Sequence, residues 1–258
     1  DIVWTVAGYT PGRFPRTEVF ELPFMMEGSD AEATSRAYWR LAQDTMMDTD
    51  FADFHVLGLW VHGPGLIHSS DPIETVADLN GVKLRAPTRV TNMMFTELGA
   101  TAIGMPVPAV PEALSQGVID ATVIPWEVTA ALRVSELVDN HTGFGAASLY
   151  TTSFIFAMNQ ASYDALPADL QAIVDDHSGL EFSAMAGRVM QEYDEPARIL
   201  AEDRGNTIIT LDEAQVAEWR AAAAPIVETW VAEMDAAGMD GTGLVARATA
   251  LIAEERGM

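Results

Sequence analysis

The sequence predicts an α/β protein with mainly parallel sheets. Between residues 54 and 137, short β-branched and apolar runs alternate with segments of helix-forming residues. A strand, a helix and a second strand in succession predict a βαβ unit, whose two strands are parallel. Hydrophobic residues make up 49% of the 258-residue chain, which is enough to form a substantial core.

The first half of the chain contains these alternating units. Residues 1–4 are typical of a strand, and residues 31–49 have the apolar spacing of an amphipathic helix. Residues 54–60 indicate a buried strand that ends in the glycine loop His62-Gly-Pro-Gly65. The remaining elements predicted here are strands at residues 82–85, 100–105 and 118–124, and helices at residues 89–98, 109–116 and 127–137.

The second half is mainly helical. A helical pattern runs from Pro167 to about Asp203, which is too long for an ordinary surface helix unless it bends near Gly187 or Pro196. The other elements predicted in this half are strands at residues 150–158 and 207–211, a helix opened by the capping pair Asp212 and Gln215 and running to about residue 236, and a helix at residues 243–255.

The charge of the chain excludes several classes of partner. With 38 acidic and 14 basic residues, its formal net charge is −24. Such a surface repels phosphate backbones and anionic lipid headgroups, so we expect neither nucleic acid nor a membrane surface as a partner. No apolar run approaches the ~20 residues of a spanning helix, so we expect no membrane insertion.

Sequence motifs of catalysis are absent. There are no cysteines, no H-E-x-x-H, no G-x-S-x-G, no Walker A and no G-x-G-x-x-G sequence. The five histidines are widely separated, so we predict no metal site, no cofactor and no enzymatic activity. An enzyme that acts on a small carboxylic acid with Glu127 or Asp120 is the alternative, because a fold alone does not exclude catalysis.

One basic residue stands where a ligand is expected. Arg85 follows the apolar residues of a short predicted strand and precedes Pro87, so it marks the carboxyl end of that strand. Ligands bind at this edge of parallel α/β sheets, and a guanidinium matches a carboxylate with two parallel hydrogen bonds. The alternative is that Arg85 forms a structural ion pair with an acidic side chain.

A second strand end places Pro125 and Trp126 at the same edge. An aromatic ring beside an arginine suggests a clamp, in which the cation holds the anionic group and the ring covers the rest of the ligand. The alternative for Trp126 is a place in the core. The loop His62-Gly-Pro-Gly65 would let the backbone approach a ligand, although it is also compatible with a simple turn.

Five segments resemble, in their order along the chain, segments of the DctP-type substrate-binding proteins of tripartite ATP-independent periplasmic (TRAP) transporters. The segment from Asp71 to Pro87 and the segment from Ala113 to Asp120, about thirty residues later, are the most specific. The other matching segments are Phe20-Glu-Leu-Pro-Phe24, Leu98-Gly-Ala100, and Met158-Asn with Leu166-Pro167.

The resemblance implies a periplasmic receptor with two α/β lobes, joined by hinge strands and braced by a long helix. The stretch 167–203 fits that brace. We expect lobe I to comprise residues 1–62 and 152–192, and lobe II to comprise residues 63–151 and 193–258. The lobes would close on a small organic acid and deliver it to a TRAP membrane permease. In the family, an arginine at the position of Arg85 binds the carboxylate.

Two departures from the family pattern affect these expectations. Family members carry a further βαβα unit ahead of the point where this sequence begins, so we expect that unit to be absent. Relatives that bind sialic acid have an asparagine at the position of Ile124 and an arginine at the position of Gly65. Their ligand is therefore not transferable, and a smaller or more apolar acid is expected. An aromatic acid, a hydroxy- or oxo-acid and a sulfonate all remain open.

The expected ligand site draws on both lobes. Arg85 would bind the anionic group, while Trp4 and Tyr9 from the opposite lobe would exclude water from that contact. His62 would either donate a hydrogen bond to the ligand or shape its own loop. The complete set of predicted ligand-binding residues is Arg85, Trp126, Trp4, Tyr9, His62, Asn92 and Pro125.

Overall fold

A computed structural model describes residues 1–257 and confirms the α/β class. The strands are β1 (Ile2–Val6), β2 (Phe54–Val61), β3 (Leu66–Ser69), β4 (Lys83–Ala86), β5 (Thr101–Gly104), β6 (Ala121–Ile124), β7 (Asn140–Gly143), β8 (Ser153–Asn159) and β9 (Thr207–Thr210). The helices are α1 (Ala31–Thr45), α2 (Arg89–Glu97), α3 (Val110–Ser115), α4 (Trp126–Leu132), α5 (Gln160–Asp164), α6 (Ala168–Asp176), α7 (Leu180–Glu192), α8 (Asp194–Asp203), α9 (Glu213–Ala236) and α10 (Gly241–Glu255).

The strands form two sheets. The large sheet has the order β5-β4-β6-β3-β7-β9, and the small sheet has the order β1-β8-β2. Within the large sheet, β4 is parallel to β5 and β6, and β7 is parallel to β9. The predicted βαβ units supply the pairs around β4.

Antiparallel pairing has two sources. In the small sheet, β8 runs against both β1 and β2. In the large sheet, β3 runs against β6 and β7, and neither β3 nor β7 was predicted from the sequence. Both strands carry polar residues at buried positions, His68 and Ser69 in β3 and Asn140 and Thr142 in β7, so neither has the apolar run by which a strand of the same length, β6, was predicted.

The predicted long helix at residues 167–203 is in fact three helices, α6, α7 and α8. The first break is at Gly179, whose φ of +90° suits glycine and whose N–H donates to the Leu57 carbonyl at 2.8 Å. The second break is at Tyr193. The chain does not bend at Gly187, which lies inside α7, whereas the break at Tyr193 lies near the predicted position Pro196, which stands in the first turn of α8, where proline is tolerated.

The longest helix is instead α9, with 24 residues and Pro225 in its interior. Its buried Trp219 and Trp230 join a hydrophobic core that reaches both sheets, through Leu59 of β2 and Leu84 of β4. None of the helices within residues 1–257 is both long and apolar enough to cross a membrane.

The small sheet lies within the segments predicted for lobe I, and the large sheet lies within those predicted for lobe II. The chain end does not follow this division strictly, because α10 packs against α1. The boundaries at residues 62, 151 and 192 therefore stay predictions.

Helices α1 and α7 approach each other closely at Gly187. A Cβ atom at this position would lie 2.3 Å from Ser35 Oγ and 2.7 Å from the Ala31 carbonyl oxygen. Ser35 Oγ in turn accepts a hydrogen bond from the Val61 N–H at 3.0 Å, which ties α1 to β2. The contact between α1 and α7 thus depends on the absence of a side chain.

We predict that Gly187→Ala lowers the free energy of unfolding by about 1–3 kcal/mol, because the added methyl group overpacks a full interface. This sign is opposite to the gain that alanine gives in an unconstrained helix. Urea unfolding monitored by circular dichroism measures the difference. The control is Arg188→Ala on the exposed side of α7, which should change stability by less than about 0.5 kcal/mol. Equal effects of the two substitutions would contradict the close approach.

Candidate functional site

A cavity of about 270 Å³ lies between the two sheets. Trp4 of β1 and Phe154 of β8 line it from the small sheet, and Arg85 of β4 and Ile124 of β6 line it from the large sheet. Its size is near the lower end for small-molecule sites, so it suits a small ligand.

Arg85 is a buried cation in the wall of this cavity, with 1% of its surface exposed. Its Nε donates to the Met105 carbonyl at 2.9 Å, Nη1 donates to the Val123 carbonyl at 3.0 Å, and Nη2 donates to the Tyr9 hydroxyl at 3.3 Å. All three acceptors are neutral.

No carboxylate of residues 1–257 forms an ion pair with Arg85, and burial lowers the pKa of this guanidinium. The structural ion pair considered from the sequence is therefore not formed. A guanidinium has five N–H groups, of which the three hydrogen bonds to protein use three. Arg85 is thus a buried positive charge with donors to spare, facing a cavity.

The Tyr9 hydroxyl stands beside Arg85. It accepts hydrogen bonds from Arg85 Nη2 and from the Val107 N–H at 2.9 Å. A phenolic oxygen has two acceptor sites and one proton, so its own O–H remains free to donate. Tyr9 lines the cavity, as expected from the sequence, and supplies a second donor next to the guanidinium.

Tyr150 is a cavity residue that the sequence analysis missed. Its ring fills the space beside Gly65, where a Cβ atom would lie 2.1 Å from Tyr150 Cε1. Burial raises the pKa of Tyr150, although the nearby Arg85 charge lowers it. Its position at the start of the predicted strand 150–158, next to the glycine loop, was the available signal.

His62 lines the cavity but has both ring nitrogens engaged. Nδ1 lies 2.5 Å from the Gly63 carbonyl oxygen, and Nε2 lies 2.8 Å from Thr152 Oγ1. Because a carbonyl accepts, Nδ1 carries the proton and Nε2 accepts from the threonine hydroxyl. Burial lowers the pKa of His62 to about 4, so the ring is neutral at pH 7. Of its two predicted roles, this bonding favours that of shaping the loop.

Aromatic rings form the opposite wall. The rings of Trp60 and Phe154 are stacked with centroids 5.4 Å apart, and the Trp4 ring lies 5.9 Å from Phe154. Trp4 remains 60% exposed, because β1 is the edge of the small sheet. An apolar ring in the cavity would therefore find an aromatic surface whose outer part is still in contact with water.

Two predicted site residues lie elsewhere. Trp126 is buried outside the cavity, with its ring 5.1 Å from that of His68 and 4.9 Å from that of His141. Since Trp126 begins α4, the first helical turn directs the next residue, Glu127, to the cavity instead. Asn92 donates to the Thr88 carbonyl at 2.8 Å and lines a separate surface cavity. Pro125 does line the main cavity.

Glu127 brings a carboxyl group to the cavity. Burial raises its pKa to about 7. Its N–H donates to Asp194 Oδ1 at 2.9 Å, and the pKa of Asp194 is also raised to about 7, first by burial and then by the Glu127 charge. The two acids are therefore partly protonated at neutral pH.

The structure separates the two acids that the sequence offered for an enzyme. The described residues contain no group of histidine and acidic side chains arranged to hold a metal ion. Asp120, considered for the enzyme alternative, pairs with Lys83 at 3.2 Å on the surface, whereas Glu127 lies in the cavity. The structure does not bring these two acids together on one site.

The fold and this cavity define a class of protein. Residues 1–233 match the family model of the bacterial extracellular solute-binding proteins, family 7, DctP. The chain belongs to this family.

Solved structures of related proteins resemble the chain closely. A TRAP solute-binding protein from Rhodoferax ferrireducens T118, in complex with copurified benzoate, is 48% identical with a TM-score of 0.97. The match covers 100% of this chain and 80% of that one. A marine metagenome TRAP solute-binding protein specific for aromatic acid ligands, co-crystallised with 3-hydroxybenzoate, is 46% identical with a TM-score of 0.94. That match covers 99% of this chain and 79% of the other.

Curated relatives are more distant. The 2,3-diketo-L-gulonate-binding periplasmic protein of Escherichia coli K12 is 24% identical over 208 residues, which are 80% of this chain. This chain spans about half the length of the curated relatives it matches, 47% and 58% of two of them.

We predict that the ligand-free protein loses stability as the pH rises through 7. The pKa of Glu127 is raised from 4.5 to about 7 in the folded chain, so folding takes up a proton between these two values, and the stability that this gives is lost as the pH rises to about 7. Asp194 and the buried Glu21, with pKa values raised to about 7 and about 8, act in the same direction.

Glu127→Gln should remove one part of this dependence. Between about pH 5.5 and about pH 8.5, the free energy of unfolding should fall by about 1 kcal/mol less in the variant than in the wild type, allowing for the partial exposure of Glu127. Urea unfolding at the two pH values gives the comparison. An identical fall in both proteins would show that the Glu127 carboxyl titrates normally.

Proposed function

We propose that this chain acts as an extracytoplasmic receptor that binds a small aromatic carboxylate in the cavity between its sheets. The observation that carries the proposal is Arg85, a buried cation with neutral acceptors and no carboxylate partner in the described chain. A buried charge without a counterion is costly, and an anionic ligand removes that cost. The ligand carboxylate would accept hydrogen bonds from the guanidinium and from the Tyr9 hydroxyl.

The cavity wall opposite Arg85 supports the inference that the ligand is aromatic. Trp4 and Phe154 line the cavity with aromatic side chains, and Ile124 stands where the sialic acid receptors have a polar residue. The two solved structures that are nearly half identical to this chain hold benzoate and 3-hydroxybenzoate. Among the acids left open by the sequence, an aromatic acid therefore fits this cavity best.

The family also supports a location and a partner. We infer that the receptor works in the periplasm and delivers its ligand to a TRAP membrane permease, as the resemblance to this class of receptor implies. An enzyme on the same architecture is not favoured, because the family is one of solute-binding proteins and the two solved structures nearly half identical to this chain are TRAP solute-binding proteins.

We predict that Arg85→Ala abolishes the thermal stabilisation given by benzoate. At a hundredfold excess over the dissociation constant, a ligand adds ~2.7 kcal/mol, which raises the melting temperature of a chain of this size by about 5–10 °C. Differential scanning fluorimetry with and without benzoate measures the shift. Arg85→Lys keeps the charge but not the planar fork, so it should retain only a fraction of the shift. If benzoate raised the melting temperature of Arg85→Ala as much as that of the wild type, Arg85 would not be a ligand-binding residue.

We predict that Trp4→Ala weakens benzoate binding by about threefold to tenfold, the range expected for one lost aromatic contact. The variant should remain as stable as the wild type, because more than half of the Trp4 side chain is in water. Isothermal titration calorimetry with benzoate and with acetate separates the contribution of the ring to the affinity from that of the carboxylate. Acetate, which has no ring, should bind both proteins equally, and an equal loss for both acids would contradict the role of the Trp4 ring.

A further inference from the structure

The cavity that contains Arg85 also contains an acidic group that the binding of a simple carboxylate does not use. Glu127 is the second residue of α4 and follows Pro125 at the end of β6. An anion receptor with an acid in its own cavity opposes its ligand, unless that acid has a binding role.

The Glu127 carboxyl has no partner in residues 1–257. It accepts no hydrogen bond and forms no ion pair, and only burial shifts its pKa. By contrast, two other acids have partners: Glu18 pairs with Arg89 at 2.6 Å and accepts from Trp230 Nε1 at 2.9 Å, and Asp50 pairs with Arg16 at 2.7 Å. Glu127 is thus an acceptor left open toward the cavity.

We propose that the ligand is an aromatic acid with a ring hydroxyl, whose carboxylate binds Arg85 and whose hydroxyl donates to the Glu127 carboxylate. This inference rests on the proposed function, because it takes the Arg85 contact as given. A ring C–H offers no comparable donor, whereas a phenolic O–H forms a short, charge-assisted hydrogen bond with a carboxylate. Glu127 would then determine specificity between hydroxylated and plain aromatic acids.

The surroundings of Glu127 define its expected pH dependence. Asp194 of α8 is the acid beside it, while Arg85 of β4, His62 after β2, and the hydroxyls of Tyr9 and Tyr150 face the same cavity. His62 stays neutral above its pKa of about 4, and burial holds Tyr150 protonated. In the neutral range, Glu127 and Asp194 are therefore the groups that change charge.

The titration of Glu127 should change the affinities for hydroxylated and for plain aromatic acids in opposite directions. The ionised form of Glu127 accepts from a ligand hydroxyl but repels a ligand without one. Raising the pH through 7 should therefore strengthen the preference for the hydroxylated acid. The ligand carboxyl and phenol groups keep their charge over this interval, because their ordinary pKa values lie near 4 and near 10.

The test is isothermal titration calorimetry of the whole chain with benzoate, 3-fluorobenzoate, 3-hydroxybenzoate and 4-hydroxybenzoate, at about pH 6 and about pH 8. At the higher pH, the wild type should prefer at least one hydroxybenzoate over benzoate by about tenfold, the factor that one hydrogen bond to a charged group supports. The fluoro acid, which is of similar shape but has no donor, should bind like benzoate.

Single substitutions identify the side chain that causes the preference for a hydroxybenzoate. Glu127→Gln should bring the preference to within about threefold at both pH values, since it keeps the shape but removes the charge. Glu228→Gln, at an exposed position of α9 outside the cavity, is the matched control and should behave as the wild type. Asp194→Asn should keep the preference, because Asp194 contacts the main chain of Glu127.

The outcomes separate the two proposals. A preference that is absent in the wild type, or that persists unchanged in Glu127→Gln, overturns the role of Glu127 while Arg85-dependent binding of benzoate leaves the receptor function intact. The proposed function itself is wrong if none of the four acids binds the wild type, or if all of them bind Arg85→Ala as tightly as they bind the wild type. Thermal unfolding of each variant confirms that it is folded before its binding is compared.

Discussion

A buried guanidinium without a counterion is the constraint on which the site depends. Arg85 is held by two main-chain carbonyls and a tyrosine hydroxyl, which come from three separate segments of the chain. These neutral acceptors fix its direction without cancelling its charge. The cavity wall therefore carries a positive charge that the described chain does not balance, and the proposed anionic ligand would balance it.

This arrangement is notable in a chain whose formal net charge is −24. Among the described residues, the acidic side chains near the site form no ion pair with Arg85, and burial raises their pKa, which disfavours their charged forms. Glu127 has its pKa raised to about 7, and Glu21, which accepts from the Ser153 N–H at 3.1 Å, has its pKa raised to about 8. The same desolvation that makes Arg85 attractive to a ligand carboxylate thus suppresses competing negative charge from the protein.

Much of the site followed from the sequence because strand ends are visible there. Three predicted site residues mark the ends of apolar strands: Arg85 before Pro87, Pro125 after β6, and His62 before its glycine loop. These strand ends meet at one cavity. The orientation of individual side chains did not follow. Successive residues in a helix point about 100° apart, so whether Trp126 or Glu127 enters the cavity depends on where α4 begins.

The residues that were missed share a physical cause. Tyr150 lies just ahead of β8 in irregular chain, and its place depends on the absence of a side chain at Gly65, far away in sequence. The strands β3 and β7 pair with each other across His68 and His141, so their identity rests on a long-range contact. A local pattern carries information about a strand's own faces, but not about which distant segment will cover them.

The position of the cavity between two sheets has a consequence for how binding is transmitted. The expected carboxylate contacts are on Arg85 of the large sheet, whereas Trp4 and Phe154 belong to the small sheet. A ligand that touches both walls gains its full free energy only when the two sheets are held at the right distance. Binding of the proposed ligand would therefore stabilise one relative placement of the sheets over others, in proportion to the contacts made on both sides. A membrane partner that recognises this placement would distinguish a loaded receptor from an empty one without contacting the ligand.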